Sequence, residues 1–259
     1  MISVTTAQLN ALLAAFAWPL ARILALIASA PVIGNSGVPA SLKIALGLLI
    51  TVLVAPLVPS PAGIDPASGA GLLIMAQQVL IGLAMGFAMH VVFHAAEMAG
   101  EFIGLQMGLG FATLYDASVP GMIPIIGQFL GVVVTLAFLA VDGHLMLISV
   151  LVESFHTLPL APLSTPSGLR DVALWGSSIF SFGLALALPL LAALLITNIG
   201  LGVLTRAAPQ LNIFVVGFPL TIMVGFLGLT LAVPYFAPTL ERMFMDGLAQ
   251  MLRLAAALR

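Results

Sequence analysis

Cysteine is absent from the 259-residue chain, which excludes disulfides, thiolate metal sites and iron–sulfur clusters held by its own side chains. Charge is nearly as scarce: seven Lys and Arg face nine Asp and Glu, and Lys43 is the only lysine. At a net charge of −2 there is no basic footprint for a nucleic-acid backbone. No G-x-x-x-x-G-K-[ST] surrounds Lys43, so a phosphate-cradling P-loop is excluded too. No basic region precedes the first apolar run, whose first cation is Arg22, and a cleaved signal peptide is not expected.

What fills the chain instead is apolar. Hydrophobic residues make up 62% and charged residues 6%, with mean hydropathy +1.25, where soluble chains carry about a quarter charged residues. This predicts an all-α integral membrane protein, a single membrane domain over 1–259, since no polar segment is long enough for a soluble domain. About six long, kinked hydrophobic helices are predicted, over 9–33, 42–58, 72–92, 124–141, 172–204 and 213–233. Pro189 kinks the fifth, and Pro234 is expected to close the sixth. Residues 144–158 read as a short amphipathic or re-entrant piece after the Asp142-Gly143 turn, and 240–258 as an interfacial tail. With six crossings, Arg170, Arg242, Arg253 and Arg259 share the side of both termini, while Lys43 and Arg206 fall opposite. The positive-inside rule then favours termini in the cytoplasm.

The least ordinary stretch is 97–124, EMAGEFIGLQMGLGFATLYDASVPGMIP, with three of the nine acidic residues: Glu97, Glu101 and Asp116. Gly100, Gly104 and Gly108 recur every fourth residue, which on a helix makes a groove for a neighbouring backbone. From Gly108 onward the glycines and Asp-Ala-Ser-Val-Pro-Gly should end the helix. Irregular backbone among membrane helices is tolerated only inside protein or beside an aqueous cavity.

Other polar residues admit two readings each. His90, His94, Glu97 and Glu101 form one helical stripe. His94-x-x-Glu97 matches half of a carboxylate metal site in a bundle, or the stripe is a polar face toward a subunit or a water-filled lumen. Gly34-Asn35-Ser36-Gly37 looks like a short intramembrane serine-protease motif with His144 or His90 as base, or is an ordinary connector. Arg22 inside an apolar run marks a pathway or partner charge, or snorkels to the interface. Asn198 suits an interhelical hydrogen bond. Met75, Met85, Met89, Met98, Met107 and Met122 could seal around a moving chain, or fill a helical core.

Residues 101–118, EFIGLQMGLGFATLYDAS, resemble the central segment of the FliR family, export-gate proteins of flagellar and virulence type III secretion systems. Residues 143–159, GHLMLISVLVESFHTLP, and 205–219, TRAAPQLNIFVVGFP, are similar to two further family stretches in the same order. Length and apolar pattern agree, so the likeness covers nearly the whole chain. Gln210-x-Asn212 followed by Phe218-Pro219 also resembles the loop of the smaller partner FliQ. Thr221 departs from the pattern, standing where a basic residue is expected.

The resemblance implies a non-enzymatic, cofactor-free subunit of the flagellar type III protein export gate. It would form with FliP and FliQ, and alongside FlhA and FlhB, the closed channel for unfolded flagellar substrates. Its place would be the bacterial inner membrane, in the flagellar basal body, in an assembly extending toward the periplasm. The chain would join a FliP-like part, 1–165, to a FliQ-like hairpin and tail, 166–259. A loop over 106–120 would plug the pore, with Gln106, Met107, Gly108, Leu109, Gly110, Phe111, Leu114, Tyr115, Asp116 and Pro120. Gly100, Gly104, Glu97 and Glu101 would serve helix packing and a subunit interface, docking α-helical FliP or FliQ. Arg206, Pro209, Gln210, Asn212, Phe218 and Pro219 would form a cytoplasmic-side loop facing FlhB, against the charge count. The alternatives are an injectisome gate subunit, a stand-alone polytopic transporter, or an intramembrane serine protease.

Overall fold

The computed structural model of the chain describes residues 6–58, 64–110, 124–158, 160, 168–210 and 213–258, apart from the side chains of 6–13, 169, 213 and 214. The described residues form seven helices: α1 (Thr6–Ser29), α2 (Ala40–Val54), α3 (Gly69–Gln106), α4 (Ile125–Ala140), α5 (Gly143–Thr157), α6 (Gly168–Ala207) and α7 (Ile213–Ala257). A single 3-10 turn, Ala55–Leu57, follows α2. Helices satisfy every backbone group from within the segment, which lipid requires and a lone strand could not provide.

Among the described residues four stretches are long and apolar enough to cross a membrane: Ala40–Leu57, Gly69–Gln106, Arg170–Ala207 and Val215–Ala257. A fifth arises if α4 and α5, bent by 67° at their junction, count as one broken or re-entrant span. The bend falls at the predicted Asp142-Gly143 turn, where Asp142 adopts the left-handed conformation at φ 54, one that Asp tolerates better than most residues. The first predicted span falls on α1, and much of its described part is covered by its own chain: Trp18, Arg22, Ile23 and Leu26 are wholly buried.

Prolines act differently from expectation in one place. α6 runs unbroken through Pro189 as predicted. α7 runs on through Pro234 and Pro238 to Ala257, so the predicted interfacial tail is the last part of one 45-residue helix. A helix-interior proline costs about 3 kcal/mol. Leaving the helix in an apolar setting strands several backbone groups at a few kcal/mol each, so the helix persists.

The chain packs as two compact units. One comprises Met1–Val91, Asp142–Gly176 and Phe244–Arg259, the other Val92–Val141 and Ser177–Met243. Each draws on residues from both sides of the 165/166 boundary. In the first unit, Gly82 and Gly86 of α3 admit α1 so closely that an added Cβ would strike the Arg22 carbonyl or Ser29 Oγ. The indole of Trp18 donates to the Gly71 carbonyl at 3.2 Å, and that of Trp175 to the Ala88 carbonyl at 3.0 Å. In the second unit, a Cβ on Gly100 would lie 2.6 Å from Gly127 Cα and N. The two backbones thus meet without side chains between them. Phe93 and Phe138 stack edge to face at 5.3 Å just beyond.

Candidate functional site

The described part of the central stretch ends in a defined cap. Gly108 stands at φ 86, its N–H donating to the Leu105 carbonyl and that of Leu109 to the Gly104 carbonyl, both at 3.0 Å. This pair of bonds around a left-handed glycine is a Schellman motif, which satisfies two of the four carbonyls a helix end leaves open. The helix therefore ends where the glycine pattern predicts. In this motif Met107 is the C-cap, and its carbonyl has no ladder partner.

That carbonyl is met from α7. Thr221 Oγ1 lies 3.0 Å from Met107 O, and 3.1 Å from the carbonyls of Gly217 and Phe218 in its own helix. The latter two belong to residues inside the α7 ladder, whereas the C-cap carbonyl needs a donor from elsewhere. One turn on, Gly225 forms a notch for Met107: a Cβ there would sit 2.5 Å from its Cγ and Sδ. Met107 is 0% and Thr221 6% exposed, so water does not compete. Where the resemblance leads to a basic residue at 221, a hydroxyl does the donating.

Of the other plug residues, Gln106, Leu109 and Gly110 are half-buried. Phe111, Leu114, Tyr115, Asp116 and Pro120 lie outside the described residues, as do Asn212 and Met122. Met85 and Met89, like Met107, are buried in the chain's own core. Gly100 and Gly104 are buried as well, and the helix that fills their groove is α4 of the same chain. Glu97 lies across the same contact, its Oε1 placed 3.1 Å from a Cβ on Gly131, and Glu101 Cγ 3.6 Å from one on Gly127. The GxxxG-type spacing at Gly82/Gly86 and Gly127/Gly131 is the signal that finds these further contacts.

His94 Nδ1 and Glu97 Oε2 pair at 2.7 Å on α3, with side chains 53% and 44% exposed. Among the described residues no group of three or more His, Asp or Glu converges as a metal site. Asn35 and Ser36 are exposed in the turn after α1, where Asn35 Oδ1 accepts the Gly37 N–H at 2.8 Å. That turn is tied down by Lys43, whose Nζ donates to the Gly34 carbonyl at 2.8 Å. On the 205–219 stretch, Arg206, Pro209, Gln210 and Pro219 are exposed and Phe218 half-buried.

Arg22 neither snorkels nor faces a pathway. Its guanidinium, 0% exposed, donates from Nε to Gln78 Oε1 at 2.7 Å and from Nη2 to the Leu158 carbonyl at 3.1 Å. Nη1 donates to Ser154 O at 2.9 Å and approaches Ser154 Oγ at 3.1 Å, and the cation lies 4.2 Å above the Phe155 ring centroid. Ser154 and Leu158 close the C-terminus of α5, the negative end of its dipole. The cation is thus held by carbonyls, an amide and a ring; no carboxylate pairs with it among the described residues.

Apolar helices long enough to span, glycine-mediated helix contacts and a capped helix end define an all-α integral membrane protein. A sequence profile of the family described as "Bacterial export proteins, family 1" matches residues 13–247. The chain belongs to that family. It is 44% identical over 248 residues to "Flagellar biosynthetic protein FliR" of Escherichia coli (strain K12), covering 95% of this chain and 94% of that one. Against the protein of the same name from Pectobacterium carotovorum subsp. carotovorum it is 46% identical over 234 residues, 89% and 88% of the two chains. The Bacillus subtilis (strain 168) relative, also so named, is 29% identical over 210 residues, 80% and 81% of the two.

Proposed function

We propose that this protein is a structural, non-enzymatic subunit of the flagellar type III export gate in the bacterial inner membrane. The observation that carries the reading is the near full-length similarity to relatives named for flagellar biosynthesis, which also favours the flagellar over the injectisome alternative. With FliP and FliQ it forms the closed channel for unfolded export substrates, adjoined by FlhA and FlhB. The 1–165 part corresponds to FliP and the 166–259 part to FliQ, and the assembly extends toward the periplasm.

In this reading the loop over 106–120 seals the passage. Apolar Leu109, Phe111, Leu114 and Tyr115 exclude water and ions, and glycines let the loop rearrange as a substrate displaces it. The capped end of α3 supports a loop that departs from a fixed point. The half-exposed His94–Glu97 pair supports a subunit or aqueous face there, since a charge at the bilayer centre costs about 2.5–3.5 kcal/mol on insertion scales. The exposed loop around Arg206 and Gln210 faces the cytoplasm and FlhB.

The test is expression in a flagellated strain lacking its own FliR, with native mass of the detergent-extracted protein. Restored export, and one chain locked in a large complex with several small hydrophobic partners, is expected. A stable monomer or homodimer that restores nothing would contradict the proposal.

A further inference from the structure

The carbonyl at the end of α3 and the hydroxyl that meets it are 114 residues apart in sequence. Their contact lies where the chain turns from helix into the stretch assigned above as the seal. We propose that Thr221 is a positioning residue for that seal, fixing the point and direction in which the chain leaves α3. The inference rests on the plug reading just given.

Helix ends fray because their last carbonyls have no ladder partners. Here the turn at Gly108 pairs those of Gly104 and Leu105, leaving the buried Met107 C-cap dependent on a donor from outside α3. Thr221 Oγ1 supplies it at 3.0 Å. The Gly225 notch locks the same residue through its side chain, so Met107 is held at both its carbonyl and its thioether. Two contacts from one face of α7, a turn apart, leave the end of α3 little freedom to unwind or swing. A motion of α7 around 217–225 would therefore reach the start of the seal directly.

The experiment uses the whole gate complex assembled with its partners, reconstituted in vesicles, with ion leak and yield of assembly measured together. Thr221→Val keeps the shape and removes the donor, Thr221→Ser keeps the donor, and Gly225→Leu fills the notch. A fourth variant lacks residues 111–119. Thr221→Val and Gly225→Leu are expected to assemble in parental yield and to leak ions severalfold faster than the parent, with Thr221→Ser near parental. Leak should not rise further when Thr221→Val is added to the shortened loop. If the shortened loop leaks while Thr221→Val stays tight, the positioning role is overturned and the plug reading stands. If the shortened loop itself stays tight, the plug reading fails and the inference with it. Loss of assembly in both Thr221→Val and Gly225→Leu would make the contact a folding determinant and also overturn the inference.

Discussion

Removing the guanidinium of Arg22 would strand the Gln78 amide and the Ser154 and Leu158 carbonyls in a site with no water to replace it. Each buried group left unpaired costs about 1–3 kcal/mol. Arg22→Ala is therefore expected to destabilise the protein by about 3 kcal/mol or more, and Gln78→Leu by about 1–3 kcal/mol, read as lowered thermal unfolding midpoints in detergent. An Arg22→Ala protein as stable as the parent would show that these hydrogen bonds do not stabilise the fold. Arg22→Lys should recover only part of the loss, because an ammonium cannot reproduce the planar fork that reaches three groups and stacks on Phe155. The sequence shows Arg22 as an anomaly, a charge inside an apolar run. It does not show the resolution, because Ser154 and Leu158 lie 132 and 136 residues away. Periodicity reports which face of a helix is polar; it does not report which distant helix end will meet it. Thr221 is the same case in reverse, a departure from a family pattern whose meaning lies in a carbonyl on another helix.

Among the helices, glycine spacing is the most informative signal, and α3 uses it twice. The groove at Gly100 and Gly104 was legible from sequence, as was the helix end at Gly108, where left-handed backbone suits a residue without Cβ. The identity of the partner helix was not, since GxxxG spacing promises close approach and names no neighbour. Gly100→Ala places a methyl group against the Gly127 backbone, which cannot rotate away. It is expected to cost about 1–3 kcal/mol of stability. Gly200 in α6 meets nothing within 4 Å, so Gly200→Ala in the isolated chain should be neutral or stabilising by up to about 1 kcal/mol. Parallel unfolding midpoints check the contrast; equal loss at both positions would contradict the α3–α4 contact. Pro234 does not end α7: in soluble proteins proline stops a helix because water takes over the freed carbonyls. In an apolar helix no such replacement exists.

For the molecule as a whole, composition alone excluded soluble, nucleic-acid-binding and disulfide-stapled classes, and the apolar runs placed most of the helices. Each of the six predicted apolar runs lies on a helix among the described residues, although hydropathy cannot tell a helix buried by its own chain from one facing lipid. α1 is the first kind, with Trp18 and Arg22 fully enclosed. α6 and α7 leave many large apolar side chains exposed, Ile196 and Tyr235 among them, which suits lipid or partner subunits alike. Family membership came from three ordered motifs, and two of them supply residues whose contacts are seen here: Ser154 and Phe155 at Arg22, Met107 at Thr221. In the proposed function the stretch after α3 seals an export passage. Ion flux through the reconstituted complex of this chain with its partners, lacking residues 111–119, tests it most directly. An assembled complex that conducts ions in the absence of substrate is the expected result. An assembled complex as tight as the parent would contradict it.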